Sequence, residues 1–329
     1  MKGFKVLIAA LAVLATAAFG FGCQPREEGT VQVYMPDGAP ALAMAQMMEE
    51  KPVIRNMQTV FHIVKSTDNI AAYLTRGDAD LCIVPTNVAA KMYNGGVDYR
   101  LVSANVHGIL YLVGTGSAET LSDLVGKVVL NTAAGGTTDL VFKYILDLND
   151  IEYEESADPV EGKVALRYVS AGTEIIQLMK AGQAEYGVMG QPQVAMAQAN
   201  IEGARQIFDL QELWKEGTGS TDSYPQASLV VKADFLAEYP EVVEAFLDKL
   251  TQNDTWVVEN ADKLQGILAE YESSITVNFT SAIVEACNLR TVPAPEARAA
   301  VETYLNSIMS FDPSFIGGKL PDDAFYVSF

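Results

Sequence analysis

The glycine-rich turn "TAAGGTTD", residues 132–139, combines features that suit the binding of an anion. Gly135 and Gly136 let a ligand approach the backbone closely. Thr137 and Thr138 place hydroxyl groups where a helix is predicted to begin, and a helix N-terminus favours negative charge. The same residues also fit a helix cap without a ligand, so both interpretations stay open. The turn lacks the lysine of a phosphate loop and the GxGxxG spacing, and no nucleotide site is predicted.

Three further turns carry polar side chains that either bind a ligand or stabilise the turn itself. In "PTN", Thr86 and Asn87 either cap a helix or direct hydrogen bonds toward a ligand. In "GQPQ", the amides of Gln191 and Gln193 are more polar than the end of a strand requires. In "PDGAP", Asp37 either caps the first helix or accepts a hydrogen bond from a ligand. The candidate ligand-binding residues of these turns are Asp37, Gly38, Thr86, Asn87, Gln191 and Gln193.

Four ring side chains lie at strand ends or crossings, where they either form the apolar wall of a small-molecule site or pack in the core. They are Tyr34, His107, Tyr111 and Tyr224. None of the four turns contains lysine or arginine. Backbone N–H groups and hydroxyl groups must therefore hold an anionic ligand, or the ligand is neutral.

The elements that position these turns occur twice along the chain. "GDADLCIVPTNVAAKM", from Gly77 to Met92, has the same plan as "GQAEYGVMGQPQVAMA", from Gly182 to Ala197: a glycine, a short apolar strand, a turn and a helix. Both halves alternate buried strands with helices, which predicts an α/β protein of two lobes, each a mostly parallel sheet flanked by helices. From about Ala233 the pattern is helical, and this part is predicted to pack on the first lobe.

Ligands of open α/β sheets bind beyond the carboxyl ends of the strands, so the four turns are predicted to converge on one cleft. Two lobes that face each other across this cleft can close on a small molecule by a hinge motion. We predict that residues 30–111 and 226–329 form lobe 1 and that residues 112–225 form lobe 2. The chain passes between them in "HGILYLVGTGS" and "YPQASLVVKADF".

The N-terminal segment is typical of an export signal, because a short positively charged start precedes an uncharged apolar run from Val6 to Gly22. Residues 1–22 are predicted to be a signal peptide, and Cys23 is predicted to be acylated as in bacterial lipoproteins. Residues 23–29 then form a tether. A plain secretory peptide with an incidental cysteine is the alternative.

Composition limits the remaining classes of function. The chain has 329 residues, of which 49% are hydrophobic, and this suits two folded domains. A net charge of −20 repels a phosphate backbone, so no nucleic-acid partner is expected. With His62 and His107 as the only histidines, a multi-histidine metal site is excluded, and neither a metal nor a cofactor is expected. Cys82 and Cys287 lie in apolar surroundings and are predicted to be free thiols.

Several segments together resemble the substrate-binding proteins of ABC importers. They are "GAPALAMAQ", "GDADLCIVPTNVAAKMYNGG", "AAGGTTDLVFKYIL" and "FLAEYPEVVEAFLDKLTQNDTWVVENADK". The resemblance is to the SsuA and NMT1/THI5-like branch, which contains binders of aliphatic sulfonates, nitrate and thiamine precursors, and it implies a type II periplasmic-binding-protein fold. It also implies that Ala39, Thr86, Gly136, Thr137 and Gln191 lie near the cleft. The cysteine-rich segment of the fungal pyrimidine synthases in this family is absent, so their self-consuming reaction is not predicted.

The resemblance implies a monomeric solute-binding lipoprotein that performs no catalysis. It would deliver a small organic ligand, anionic or aromatic, to the permease and ATPase subunits of an importer. It would be exported, and it would touch the membrane through its lipid anchor alone, facing the periplasm or the cell exterior. Two alternatives stay open. One is an enzyme of the menaquinone-dehydratase type with Asp37 and His107 as an acid–base pair, and the other is a sensory or adhesive lipoprotein.

Overall fold

A computed structural model describes residues 29–65, 69–132 and 134–329. The predicted signal peptide, the acylation site Cys23 and the tether up to residue 28 lie outside the described residues. Within the described ranges, no helix has the length and apolar character that crossing a membrane requires.

The strands are short and mostly buried, and they alternate with helices along the chain. The strands are β1 (Thr30–Pro36), β2 (Val53–Ile54), β3 (Met57–Val64), β4 (Leu81–Pro85), β5 (Tyr99–His107), β6 (Leu110–Gly114), β7 (Val128–Thr132), β8 (Tyr153–Glu155), β9 (Val164–Val169), β10 (Tyr186–Gly190), β11 (Arg205–Asp209), β12 (Pro225–Lys232) and β13 (Leu289–Pro293). The helices are α1 (Ala39–Leu42), α2 (Ala45–Glu50), α3 (Ile70–Arg76), α4 (Thr86–Asn94), α5 (Thr137–Leu148), α6 (Gly172–Lys180), α7 (Gln193–Asn200), α8 (Leu210–Thr218), α9 (Ala233–Glu238), α10 (Pro240–Glu259), α11 (Leu264–Glu270), α12 (Ser281–Glu285) and α13 (Ala294–Phe311).

The strands form two sheets. Sheet one has the order β13-β5-β12-β4-β1-β3-β2, and sheet two has the order β11-β6-β10-β7-β9-β8. This confirms the α/β class with two sheets. Both sheets are mixed: β4, β1 and β3 are parallel in sheet one, as are β10, β7, β9 and β8 in sheet two. Sheet one is less parallel than predicted because β12, β5 and β13 add antiparallel neighbours at one edge.

The repeated sequence unit is a repeated structural unit. Gly77 follows α3 with φ 72°, and Gly182 follows α6 with φ 69°, a left-handed conformation that glycine adopts without strain. Each glycine leads into a strand, β4 or β10, that lies between a parallel and an antiparallel neighbour. The equivalent strands of the two sheets therefore present their carboxyl ends in the same way.

Two crossing segments connect the sheets and hold each other in place. The first passes from β5 to β6 through Gly108 and Ile109, and the second returns from α8 to β12. Gly108 N donates to Tyr224 O at 2.9 Å. The buried Gln211 amide accepts from Leu110 N at 2.6 Å and donates to Leu110 O at 2.9 Å. These paired bonds satisfy the backbone where it leaves one sheet for the other.

The C-terminal part packs mainly on sheet one, and it contains a strand that the helical pattern did not predict. In α10, Val243, Phe246 and Leu250 recur at helical spacing and are completely buried. A helix was predicted over "SAIVEACNL", but α12 ends at Glu285, and β13 pairs antiparallel with β5. The turn between them contains Asn288 at φ 45°, a conformation that asparagine tolerates better than most residues.

The prediction of two free thiols is confirmed for Cys82 and Cys287, which are both free and buried. Burial raises the pKa of both thiols, so both stay protonated and unreactive at neutral pH.

Candidate functional site

A cavity of about 410 Å³ lies between the carboxyl ends of the strands of the two sheets. Its volume is in the range of small-molecule sites. The turns after β1, β7, β9 and β10 all contribute to it. The lining residues from these turns include Asp37, Ala39, Gly135, Gly136, Thr137, Thr138, Ser170, Ala171, Gly172, Thr173, Gln191 and Gln193.

Four helices of two turns or more begin at this cavity: α4, α5, α6 and α7. Their N-cap residues are Pro85, Gly136, Ala171 and Pro192, and none of these accepts a hydrogen bond through its side chain. In α4, α5 and α6 no capping side chain uses the first N–H groups, whereas in α7 the Gln191 side chain accepts from Ala195 N at 3.4 Å. The partial positive charges of these helix N-termini favour an anionic group in the cavity.

The glycine-rich turn is fixed by a buried carboxylate. Asp139 is completely buried, and its Oδ2 accepts from Gly135 N at 2.8 Å and from Lys143 Nζ at 2.9 Å. Its Oδ1 accepts from the Tyr168 hydroxyl at 2.6 Å, and burial together with this bond raises the pKa of Tyr168. Because Lys143 balances its charge, Asp139 orients the turn without placing an unpaired negative charge beside the cavity.

Gly135→Ala is expected to destabilise the turn more than an ordinary glycine substitution. Gly135 has φ 77°, and an added Cβ would lie 2.6 Å from Cε1 of Phe315. Gly182→Ala is the matched control, because Gly182 has φ 69° and an added Cβ would meet no atom within 4 Å. The left-handed backbone lowers the free energy of unfolding of each variant by about 1 kcal/mol. Crowding of the new Cβ against the Phe315 ring lowers that of Gly135→Ala by about 1 kcal/mol or more in addition. Equal losses in chemical denaturation would contradict this packing.

Two glutamine amides at the floor of the cavity offer hydrogen-bond donors. The Gln226 Oε1 atom accepts from Ile109 N at 3.2 Å, and Gln191 Oε1 accepts from Ala195 N at 3.4 Å. Gln191 N also donates to Ile109 O at 3.1 Å, so both residues are tied to the first crossing segment. Within the described part of the chain, neither Nε2 group has a protein partner. Gln226 was not predicted as a site residue.

Asp37 faces the cavity, but its carboxylate is already occupied. It accepts from Gly38 N at 2.9 Å, from Ser273 Oγ at 2.5 Å, and from both N and Oγ of Ser274 at 2.7 Å. These four bonds use the acceptor capacity of a carboxylate. Asp37 therefore holds Ser274, which lines the cavity, and it is neither the simple helix cap nor the free acceptor that the sequence suggested.

Two lysines line the mouth of the cavity, and neither was predicted from the sequence as a site residue. Lys65 directly follows β3, and its Nζ lies 3.7 Å from Oε2 of Glu272. Lys91 lies inside α4, is exposed, and forms no ion pair within 4 Å with any residue that the structure describes. Lys91 could have been found from the sequence, because it lies about one helical turn beyond the "PTN" turn.

The structure places eight of the predicted site residues at the cavity and seven away from its lining. Those at the cavity are Asp37, Ala39, Gly135, Gly136, Thr137, Thr138, Gln191 and Gln193. Those outside the lining are Tyr34, Gly38, Thr86, Asn87, His107, Tyr111 and Tyr224. Gly38 lies just behind the cavity, because an added Cβ would be 3.2 Å from Nε2 of Gln193.

The residues outside the lining have partners within the protein. Tyr34 stacks on His62 with ring centroids 4.3 Å apart, and the buried Tyr224 stacks on Tyr304 at 5.5 Å. Thr86 begins α4 without a separate turn, and its hydroxyl bonds to Ser228 at 2.8 Å. Among the described residues, no aromatic side chain lines the cavity, so its apolar walls are aliphatic.

Asn87 connects the two sides of the cleft. Its Oδ1 accepts from Thr137 Oγ1 at 3.1 Å, and both residues are buried. Tyr304, from the C-terminal helix α13, donates to the same Thr137 hydroxyl at 3.4 Å. These bonds join α4 of sheet one to the N-terminus of α5, beside sheet two.

The structure does not bring Asp37 and His107 together as an acid–base pair. His107 is buried outside the cavity lining, and its Nε2 bonds to the Arg290 carbonyl at 3.0 Å. Burial, with the nearby Arg290 charge, lowers the pKa of His107, so the ring is neutral at pH 7. Among the described residues, no group of three or more histidine, cysteine or acidic residues could hold a metal ion.

Comparison with known proteins gives one family and many related structures. The NMT1-like family model matches residues 61–269. No curated protein matches the chain. A crystal structure titled an ABC transporter, from Parabacteroides distasonis, is similar with a TM-score of 0.76 and 25% identity, over 92% of this chain and 99% of that chain.

Two more distant structures share the fold. The periplasmic aliphatic sulphonate binding protein SsuA from Escherichia coli has a TM-score of 0.65 and 11% identity, over 89% of this chain and 96% of that chain. A ligand-binding component of an ABC-type import system from Staphylococcus aureus, with zinc bound, has a TM-score of 0.65 and 11% identity. That match covers 92% of this chain and 97% of the other.

Proposed function

The chain belongs to the NMT1-like family, and from this premise we propose that it is the solute-binding component of an ABC importer. We take the two lobes as residues 30–109 with 225–329 and residues 110–224, because β6 of sheet two begins at Leu110 and β12 of sheet one begins at Pro225. They close on a small ligand and deliver it to a membrane permease driven by an ATPase. The observation that carries the proposal is the 410 Å³ cavity between the two sheets, at the carboxyl ends of their strands. The similar structures support it, because they are described as an ABC transporter, an aliphatic sulphonate binding protein and a ligand-binding component of an ABC-type import system.

The ligand of this site carries hydrogen-bond acceptors. The cavity offers helix N–H groups, the Nε2 groups of Gln191 and Gln226, and two lysines, whereas Asp37, the one carboxylate among its described lining residues, is saturated by internal donors. Such a set of donors favours an anionic group. We assign ligand contact to Ala39, Gly135, Gly136, Thr137, Thr138, Gln191 and Gln193. Catalysis is not part of the proposed role.

Export and lipid anchoring are part of the same proposal. A charged start, an apolar run and Cys23 support cleavage after Gly22 and acylation of the cysteine. The chain would then act as a monomer tethered to the cell membrane. Cys23→Ser is expected to move the protein from the membrane fraction to the soluble fraction, as measured by fractionation and blotting. Equal membrane retention of both forms would contradict the anchor.

Native mass spectrometry of the purified mature protein tests the binding function. We expect one small solute per chain, and a higher thermal midpoint when that solute is added back, because it binds only the folded state. Gln191→Leu should weaken its affinity about 10- to 100-fold, since it removes a donor to a charged group. Gln183→Leu, at an exposed position outside the cavity, is the matched control. A chain that captures no solute from extract, or a Gln191→Leu variant with unchanged affinity, would contradict the proposal.

A further inference from the structure

We propose that the solute is an aliphatic compound with two acidic groups, one buried at the floor of the cleft and one at its mouth. This inference rests on the solute-binding function proposed above and adds the chemical class of the ligand. It follows from three features of the cavity lining: amide donors without protein partners at buried or half-buried positions, aliphatic side chains, and lysines at exposed positions.

The floor of the cavity offers hydrogen-bond donors that suit an acceptor on the ligand. The carbonyl oxygens of Gln191 and Gln226 each accept one bond from a backbone N–H group, whereas among the described residues neither NH₂ group has a protein partner and both are available to a ligand. Gln191 as a whole is only 5% exposed, so a ligand group that bonds to its NH₂ group is largely shielded from water. The N-termini of α5 and α7 add partial positive charge beside these amides, which favours a carboxylate over a neutral carbonyl group.

The walls above the floor select an aliphatic body. They are formed by Ile70, Val88, Met92, Ile109, Val188 and Met189. Aromatic ligands are commonly held by stacking on aromatic side chains, and among the described residues none of these lines the cavity. A methylene chain can bind to such walls without stacking, because burial of its apolar surface is itself favourable.

The mouth of the cavity carries positive charge. Lys91 is exposed and without an ion pair among the described residues, whereas the nearby Lys65 is shared with Glu272. Hydrogen bonds from Ser314 and the Lys91 charge lower the pKa of the Asp312 carboxyl, but Lys91 and Asp312 form no ion pair within 4 Å, so Lys91 can still bind a ligand. A second acidic group at the outer end of the ligand would pair with Lys91 while the first is held at the floor.

Titration calorimetry with α,ω-dicarboxylates from succinate to suberate tests this class directly. We expect at least one of them to bind about ten-fold more tightly than the monocarboxylate and the half-amide of the same length. A half-amide that binds as tightly as its diacid would overturn the need for two charges. An aromatic acid that binds more tightly than every dicarboxylate would overturn the aliphatic class.

Lys91→Ala tests the contact at the mouth of the cavity independently of the contact at its floor. It should lower the affinity for the dicarboxylate about five-fold, which is the effect of one largely exposed ion pair. The affinity for the matching monocarboxylate should stay unchanged. Lys180→Ala is the control, because Lys180 is exposed and outside the cavity and its loss changes the net charge equally. Equal weakening of both ligands by Lys91→Ala would mean that Lys91 binds the only acidic group, and the proposal would fall.

Failure of this inference differs from failure of the solute-binding function. If no dicarboxylate binds but native mass spectrometry finds another solute on the purified chain, the ligand class is wrong and the function stands. If the chain holds no solute and binds no member of the series, both are wrong.

Discussion

Asp139→Ala is expected to lower the free energy of unfolding by about 3 kcal/mol and to weaken ligand binding. The substitution leaves the Lys143 ammonium group, the Tyr168 hydroxyl and Gly135 N without their shared acceptor. The loss stays near the lower end for a broken buried pair, because the Lys143 side chain is 19% exposed and can reach water. Ligand binding suffers because the glycine-rich turn loses the bond that orients it.

Asp147→Ala on the same helix is the matched control, since Asp147 is exposed and its removal changes the net charge equally. We expect it to change stability by less than about 0.5 kcal/mol. Urea denaturation followed by circular dichroism measures both variants, and calorimetry measures their affinity for the captured solute. If Asp139→Ala retained full affinity and stability, the anchoring role of Asp139 would be wrong.

Tyr224→Ala is expected to lower the free energy of unfolding by about 3–5 kcal/mol. The ring is completely buried, lies 5.3 Å from Trp214 and 5.5 Å from Tyr304, and forms part of the return crossing between the sheets. Its hydroxyl donates to Oε1 of Gln211 at 3.0 Å, the amide that also holds the first crossing. Removing the side chain therefore opens a cavity where both crossings meet.

Tyr224→Phe distinguishes a structural tyrosine from a ligand-binding one. It keeps the ring and removes the hydroxyl, so it should cost about 1 kcal/mol of stability and leave ligand affinity unchanged. Denaturation and calorimetry on the same preparation measure both. A ten-fold loss of affinity without loss of stability would place the Tyr224 hydroxyl in the binding site.

Much of the fold could be predicted because local pattern and tertiary structure agree. The apolar runs "ADLCIV" and "AEYGVM" become β4 and β10, and Gly77 and Gly182 take the left-handed conformation that ends the preceding helix. The strand β13 could not be predicted, because its five residues are a strand only through pairing with β5. Such an edge strand carries little periodicity of its own.

The backbone turns of the site could be predicted, but most of its side chains could not. The turn at Gly135–Thr138 reaches the cavity because the carboxyl ends of parallel strands meet at one edge. Tyr34 and Tyr224 also lie near strand ends, yet their neighbours His62 and Tyr304 hold them elsewhere. No sequence pattern distinguishes these two outcomes.

Gln226 was missed for a specific geometric reason. In the pairing of β12 with β5, Pro225 is opposite His107 and Ala227 is opposite Val106, so Gln226 is the extra residue of a β-bulge. A bulge redirects its side chain away from the regular alternation of a strand. Gln226 therefore reaches the cavity although it belongs to none of the four predicted turns.

A crystal structure of the mature protein with its captured solute tests the central claim most directly. We expect the solute between the two sheets, with an acidic group bonded to the Nε2 groups of Gln191 and Gln226 and to the first N–H groups of α5. A solute bound on an outer surface, or a cleft that stays without solute at a saturating concentration, would contradict the assignment of this cavity as the binding site.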